Sequence, residues 1–347
     1  MSKSIILTIF LYFYINFSSA SEWTVSNNPN IPAQYTSIQE AIDEAQNGDK
    51  ILVHASPNFY AGFDTYDKKL EIIGEGFNGS KTTVIDLYNG VGGSSTDPIN
   101  LNNSSVLTGF RIVMTIINQN VVVGLSSSSQ VKNCYFDNIR ILRMFDGSII
   151  RNSIIHNSRI DLYNDNNFIL NNIFIGTSHI YDLSGENSNI NGLIVRNNLF
   201  INGSSNSSIQ IPDDIVSGII ITDNIFYKSF QTVEYCPSCE FSNNLFFENT
   251  SLLPEEEGNI NNQDPKFSFV PADLNEIFSF NFTLQESSPA KGIATDNGDL
   301  GIYGGSYPMP EILDGKPTLP VIKTFTLKNI VVGENGNLEL VIKAKAN

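Results

Sequence analysis

The sequence predicts an all-β protein built as a right-handed parallel β-helix, and an internal repeat is the first observation behind this prediction. Six segments share one order of apolar and polar positions, and successive segments start 19, 19, 26, 26 and 20 residues apart. Self-similarity at such a period is typical of a solenoid, in which each coil buries its apolar face against its neighbours. The segments are VKNCYF (131–136), IRNSII (150–155), ILNNIF (169–174), VRNNLF (195–200), ITDNIF (221–226) and FSNNLF (241–246).

The residue types in the repeats indicate the kind of coil. Ile, Val, Phe and Asn dominate, and clusters of Asn, Ser and Gly separate the segments, which favours strands and turns. The Leu-x-x-Leu-x-Leu frame of leucine-rich repeats is missing, and so is the six-residue period of a left-handed β-helix. We therefore expect about three short strands per coil, with the columns of Val, Ile and Phe stacked inside.

One polar column within the repeats predicts a ladder of side-chain hydrogen bonds. Its amides would bond to one another and to turn backbone that is otherwise buried unpaired. The two longer steps predict loops at roughly 175–192 and 201–217, and insertions in repeat folds often lie on the binding face. The column contains Cys134, Ser153, Asn172, Asn198, Asn224 and Asn244.

Both ends of the predicted solenoid have recognisable elements. Residues 35–45 predict an amphipathic helix with Thr36 or Ser37 as N-cap, and such a helix can cover the exposed strand edge of the first coil. At the other end, four prolines give residues 307–321 the composition of a stiff linker. Residues 322–347 then predict a small β-strand tail, with two strands around the turn at 333–337. The β-helix domain itself is predicted to span residues 21–306.

Residues 1–20 have the composition of a signal peptide. Lys3 precedes an apolar run at 5–17, and small residues precede Ser21. The run is shorter than the roughly 20 residues that span a bilayer, although an uncleaved anchor is an alternative. We expect a secreted or cell-surface protein whose mature chain does not insert into a membrane.

The charge balance restricts the partners. The chain has 20 Lys and Arg against 36 Asp and Glu, a net charge of −16. Nucleic-acid binding depends on positive charge that neutralises phosphates, so we predict no nucleic-acid partner. Surplus carboxylates suit Ca²⁺, but solubility alone explains them, and no metal ligands are assigned. We expect a monomer.

Three cysteines permit few interpretations. Cys236 and Cys239 have C-x-x-C spacing, but neither a βαβ context nor further zinc ligands accompany them. A local disulfide or two inert thiols are the remaining interpretations. Cys134 is predicted to be a small buried residue of the ladder column.

Two parts of the chain resemble a known family. YTSIQEAIDEAQNGDKILV (35–53), KLEIIGEG, TVID and LTGFRI are similar to the start of secreted pectate-lyase-like β-helix proteins. DPKF (264–267), FTLQESSPAKGIA (282–294) and DLGIYGG (299–305) resemble the closing segment of such proteins from Bacteroidetes. The resemblance implies the fold and a polysaccharide substrate, and it departs from the family at 56–60, where SPNFY lacks the usual Gly before Tyr. Since the superfamily contains lyases, hydrolases, epimerases and adhesins, it does not fix an activity.

The lyases of this fold cleave acidic polysaccharides by β-elimination, which needs a base and cationic groups that neutralise the uronate carboxylate. Arg140, Arg159 and His179 stand four to five residues after Phe136, Ile155 and Phe174, the last residues of three successive segments. On adjacent coils they would form a basic strip. We predict Arg159, His179 and Tyr181 as catalytic residues, with Tyr181 or His179 as the base. Arg140, Asp161 and Asp182 are the predicted substrate-binding residues.

Three alternatives stay open. Exposed positions of a solenoid can carry mixed polar residues with no site at all. A hydrolase would use paired carboxylates, such as Asp213 and Asp214, but the family's hydrolase signatures are missing. A non-catalytic adhesion or spacer module is the main alternative, and it predicts scattered charge without a groove.

Overall fold

The computed structural model describes the chain in segments. The described residues are 20–78, 82–87, 98–114, 122–126, 128–139, 141–182, 191–201, 207–211, 217–229, 231–234, 239–249, 258–273, 276–310, 313, 315, 321–327 and 340–345. Residues 1–19 of the predicted signal peptide (1–20), Arg140, Asp213, Asp214 and Cys236 lie outside these residues. So do 183–190 of the first predicted insertion, 202–206 and 212–216 of the second, and the turn at 333–337.

Three parallel sheets run along the molecule and form the predicted right-handed β-helix. Each coil contributes one short strand to each sheet, so neighbours in a sheet come from successive coils. Sheet A contains Glu22–Val25, Lys50–Val53, Glu71–Gly74, Val106–Thr108, Gln130–Lys132, Ile149–Arg151, Phe168–Leu170, Ile194–Arg196, Ile220–Thr222 and Glu240–Ser242. Sheet B contains Val84–Asp86, Arg111–Val113, Tyr135–Asp137, Ile154–His156, Ile173–Ile175, Leu199–Ile201, Ile225–Tyr227, Leu245–Phe247 and Ile260–Asn261. Sheet C contains Ile99–Leu101, Val122–Leu125, Ile141–Met144, Arg159–Leu162, His179–Asp182, Ser207–Gln210 and Gln231–Glu234.

The predicted apolar columns form the core. Phe174, Phe200, Phe226 and Phe246 align in register in sheet B, and their rings stack with centroids 4.6, 4.7 and 5.1 Å apart. This spacing is near the separation of neighbouring strands, so one ring per coil fills the interior continuously. The first column, from Val131 to Phe241, aligns in the same way in sheet A and is also buried.

The predicted polar ladder lies in the turn between sheets A and B. The backbone N–H of each member donates to the side-chain oxygen of the next, at 3.0 Å from Ser153 to Asn172, 2.9 Å from Asn172 to Asn198 and 2.8 Å from Asn198 to Asn224. Asn259 continues the ladder beyond Asn244. Cys134 begins it as a buried free thiol. The ladder supplies partners for N–H groups that the sharp turn buries.

The residue before each ladder position turns the chain. Asn133, Asn152, Asn171, Asn197 and Asn243 have φ between 50° and 55°. Asn tolerates this left-handed conformation better than other residues with a Cβ, which explains the paired Asn-Asn in the repeats.

The C-terminal part of the β-helix domain returns along the outside of sheet B. Side chains of the turn asparagines bond to its backbone: Asn243 to the Ile293 carbonyl at 3.2 Å, Asn171 to the Gly304 carbonyl at 2.8 Å and Asn152 to the Tyr307 carbonyl at 2.7 Å. Its apolar side chains cover the outward residues of sheet B and form a second core. The segment contains the antiparallel strands Phe267–Phe269 and Asn281–Leu284 and a 3₁₀ turn at Ile277–Ser279.

The predicted terminal elements are present. The helix Ile38–Glu44 buries Ile38, Ala41 and Ile42 against the first coil, with Ser37 as N-cap residue. Val321–Leu327 and Leu340–Lys345 pair as antiparallel strands. In the described part of the chain, no helix is long and apolar enough to cross a membrane.

Candidate functional site

The outer face of sheet C brings several of the predicted site residues together. Alternation along each strand buries Leu142, Ile160 and Ile180 inside the solenoid, so the residues beside them face outward. Arg159 aligns directly with His179, and Asp161 aligns with Tyr181. With strands about 4.8 Å apart, these four residues form a compact patch on two coils.

The structure does not describe the side chains of the other two predicted residues, Arg140 and Asp182. Arg140 lies outside the described residues. Asp182 aligns with the buried Leu162 at the end of its strand, and so stands in a different row from Asp161 and Tyr181.

On the preceding coil the outward arginine of this patch is Arg143, a residue that was not predicted from the sequence. It aligns with Asp161 and therefore stands in the same outward row. Five residues separate Phe136 from Leu142, whereas four separate Ile155 from Ile160, so the turn between sheets B and C varies in length. Counting from the repeated segment therefore gave the wrong register. Aligning the apolar residues of sheet C, Leu142 with Ile160, places Arg143 beside Asp161 and would have identified it.

Arg159 and Asp161 form the central ion pair. The Asp161 side chain is fully buried, and that of Arg159 is 29% exposed. Arg159 Nη2 donates to Asp161 Oδ2 at 3.0 Å, and Nε lies 2.6 Å from Oδ1 without the angle of a hydrogen bond. Burial raises the pKa of Asp161, while the hydrogen bond and charge of Arg159 oppose the rise. Asp161 thus fixes the guanidinium of Arg159, whose remaining N–H groups can meet an anion.

Aromatic rings hold both arginines on the surface. The guanidinium of Arg159 lies 5.3 Å from the ring centroid of Tyr181, and that of Arg143 lies 5.3 Å from that of Tyr163. Tyr163 stacks in turn on Phe145, with centroids 5.2 Å apart. Such cation–π contacts restrict where a guanidinium can point, and the rings leave apolar surface beside the charges.

His179 is arranged to accept a proton. Its Nδ1 lies 3.0 Å from the Thr177 carbonyl oxygen, so Nδ1 carries the hydrogen in the neutral ring and Nε2 carries the lone pair. Burial lowers the pKa of His179, and the nearby Arg159 adds to this, although the bond to Thr177 opposes it. The imidazole is therefore neutral at pH 7 and can act as a base.

A cleft continues the patch toward the N-terminal coils. It encloses about 320 Å³ and is lined by Asp64, Asn100, Asn102, Gly124, Ser126 and Phe145. Gly124 aligns with Arg143 in sheet C, and Asn100 aligns with Gly124. Gly124 has no side chain in the outward row, and a Cβ there would lie only 3.2 Å from Asn100 Oδ1, so a larger residue would crowd the cleft.

Among the described residues, no group of three or more His, Cys, Asp or Glu side chains is placed to hold a metal ion.

Elsewhere in the chain Cys239 is disulfide-bonded, which is one of the two states that the sequence left open.

Neither a protein-family model nor a curated protein matches the chain.

Proposed function

We propose that this protein binds an acidic polysaccharide along the outer face of sheet C and cleaves it by β-elimination. The proposal depends above all on the alignment of Arg143, Asp161 and Tyr181 on three coils, with Arg159 and His179 beside them. The chain carries a net charge of −16, and on this acidic protein two arginines stacked on rings beside a cleft provide local positive charge for binding an anion. The resemblance to secreted pectate-lyase-like proteins agrees with the same substrate class.

Uronate carboxylates would bind to the arginines. The buried carboxylate of Asp161 directs Arg159, whose remaining N–H groups suit a planar carboxylate. Tyr163, Tyr181 and Phe145 would contact the apolar faces of sugar rings. The cleft beside Gly124 would accept the chain as it continues from the arginines.

Elimination requires a base, a neutralised carboxylate and a proton for the leaving oxygen. Nε2 of His179 would remove the proton α to the uronate carboxylate, while Arg159 on the adjacent strand stabilises the charge that develops there. The C–O bond to the next sugar then breaks as the C=C bond forms. Tyr181, whose ring centroid lies 6.4 Å from that of His179, would protonate the leaving oxygen.

The expected location follows from the same substrate. An exported mature chain beginning after residue 20 would meet polysaccharide outside the cell or at its surface. Export and the monomeric state are parts of the proposal that purification from culture fractions and sizing of the mature chain would test.

The test uses residues 21–347 with pectate, alginate and glycosaminoglycans, with and without Ca²⁺. Elimination is followed by the ultraviolet absorbance of the unsaturated uronate product, and binding by affinity electrophoresis. Arg159→Ala should abolish both signals. Gly124→Val should weaken binding, because it fills the cleft.

Arg151→Ala is the matched control. The Arg151 guanidinium also lies over a tyrosine ring, 4.6 Å from the ring centroid of Tyr307, but Arg151 belongs to a strand of sheet A. If Arg159→Ala and Arg151→Ala lost binding and product formation equally, the site would not lie on sheet C. Binding without product would indicate a binding module instead of a lyase. The absence of both binding and product on every substrate would favour the spacer role.

A further inference from the structure

A second cleft lies on the outer face of sheet B, on a different side of the solenoid from the patch of sheet C. It encloses about 350 Å³, within the size range of ligand pockets in proteins. The strand Arg111–Val113 and the end of the next strand at Asp137 form part of its wall. The lining side chains are Phe59, Val84, Arg111, Val113, Met114, Asp137 and Asn138.

Asp137 is the organised polar group of this cleft. Its Oδ2 accepts from Arg111 Nη2 at 2.7 Å, and its Oδ1 accepts from His156 Nδ1 at 3.0 Å and from Asn138 Nδ2 at 2.9 Å. An ionised carboxylate has about four acceptor positions, so these bonds leave one position on Oδ2. Burial acts to raise the pKa of Asp137, but His156 and Arg111 outweigh it and lower the pKa, which keeps the group ionised.

The partners of Asp137 are themselves fixed. Asn157 Nδ2 donates to His156 Nε2 at 3.1 Å, so the proton of the neutral ring is on Nδ1, toward Asp137. The Arg111 guanidinium lies 5.2 Å from the ring centroid of Tyr135. This support holds the carboxylate and the guanidinium in place before any ligand binds, which lowers the entropic cost of binding.

Arg111 provides unused donors in the same cleft. A guanidinium has five N–H groups, and Arg111 Nη2 donates one of them to Asp137. The Arg111 side chain is 39% exposed and lines the cleft, so its outer N–H groups can reach a ligand there, whereas its Nε is buried. The cleft thus offers one free acceptor and free donors close together, on a pair of opposite charges that cancel.

The remaining walls are apolar. Phe59 is 56% exposed, an unusual state for a large aromatic side chain, and it borders the cleft with Met114 and Val84. A pyranose ring has one apolar C–H face and a rim of hydroxyls that donate and accept at once. An exposed aromatic ring together with a paired acceptor and donor matches that surface.

We propose that this cleft binds an uncharged sugar unit, with Phe59 against the face of the ring and with Asp137 and Arg111 bonded to its hydroxyls. A uronate would place its carboxylate near Asp137, and a cationic sugar would meet Arg111, so the cancelled charge selects a neutral ligand. This site is independent of the function proposed for sheet C. The protein would then hold neutral sugars on one face and acidic sugars on another.

The test is calorimetric titration of residues 21–347 with four neutral probes and one charged probe. The neutral probes are the β-1,4-linked tetrasaccharides of glucose, mannose, xylose and galactose, and the charged probe is tetragalacturonate. At least one neutral probe should bind, and Phe59→Ala should weaken it about tenfold, since it removes a stacking surface. Asp137→Asn should weaken it further, because one carboxylate oxygen becomes an NH2 group that cannot accept and the charge that holds Arg111 is lost.

Matched controls separate this site from others and from misfolding. Phe269→Ala removes a phenylalanine of similar exposure, 54%, away from the cleft and should leave binding unchanged. Arg159→Ala should also leave it unchanged, whatever its effect on acidic polysaccharides. Because the Phe59 side chain is exposed, its replacement preserves the fold, which circular dichroism verifies.

Three outcomes overturn the proposal. The first is no heat of binding with any neutral probe. The second is binding that survives both Phe59→Ala and Asp137→Asn. The third is tetragalacturonate binding with the same sensitivity to Phe59→Ala, which would contradict the selection of uncharged sugars.

Discussion

Replacing Asn198 by Ala tests whether the buried ladder stabilises the solenoid. Asn198 is fully buried and lies near the middle of the ladder. Its Oδ1 accepts from the backbone N–H of Asn172 at 2.9 Å, and its Nδ2 donates to the Ile169 carbonyl at 2.8 Å and to Asn224 Oδ1 at 3.0 Å. The variant removes all of these bonds and leaves the Asn172 N–H buried without its acceptor.

The expected loss follows from these contacts. An unsatisfied buried donor costs about 1–3 kcal/mol, and each of the two lost Nδ2 bonds contributes about 1 kcal/mol net. The free energy of unfolding should therefore fall by about 3–5 kcal/mol, before any cost of the small cavity.

The chain provides its own control at Ser153. In that coil a serine occupies the ladder position, accepts from the Cys134 N–H at 3.2 Å and donates to the Arg151 carbonyl at 3.0 Å. Asn198→Ser keeps an acceptor for the Asn172 N–H, so it should retain about 1–3 kcal/mol relative to Asn198→Ala.

Urea unfolding followed by circular dichroism measures both variants against the parent protein. The midpoints should fall in the order parent, Asn198→Ser, Asn198→Ala. If Asn198→Ala lost less than about 1 kcal/mol, or matched Asn198→Ser, the ladder would not supply the hydrogen bonds that the turn requires.

Two further predictions concern pH and the returning C-terminal segment. Because burial lowers the folded-state pKa of His179 below its usual 6.5, the unfolded chain binds the proton first as pH falls, and stability should decline below about pH 6.5. His179→Gln should flatten that decline in urea midpoints recorded across this range, and an unchanged slope would contradict the assigned pKa direction. Asn171→Ala removes the bonds to the Ile302 and Gly304 carbonyls, at 3.1 and 2.8 Å, and places Ala at a φ of 53°. Amide hydrogen exchange at 293–309 should accelerate in Asn171→Ala, and accelerate less in Asn171→Gly, because glycine keeps the backbone conformation. Equal protection in the parent protein and both variants would show that these bonds do not hold the segment.

The fold was predictable because its information is local and repeated. In the six segments between 131 and 246, one column rich in Phe and one rich in Asn specify what each coil buries, and the period specifies which residues stack. The N-terminal helix was predictable for the same reason, since Ile38, Ala41 and Ile42 form a stripe that is visible within seven residues.

The site was predictable only in part. Arg159 and His179 align in sheet C as the sequence predicted, because the comparison accepted distances of four and five residues from the repeated segment. Arg143 was missed because the turn before sheet C changes length, and the position of its strand depends on packing of Leu142 against the core. The cluster of Arg111, Asp137 and His156 was missed entirely. A signal for two of them was present, because Asp137 and His156 directly follow the last residues of two repeated segments and align in sheet B. Arg111 lies on the preceding coil, before the six segments begin.

Local sequence patterns are sufficient to specify a parallel solenoid with stacked apolar columns and a polar ladder, because these features recur from coil to coil, and the stripe of one short helix specifies the cover of the first coil. Which outward side chains meet depends on the tertiary structure, because the register of sheet C and the path of residues 293–309 back along sheet B depend on contacts between distant coils. Chemistry on a solenoid surface is made by neighbours across coils, and a variation of one residue in a turn is enough to change those neighbours.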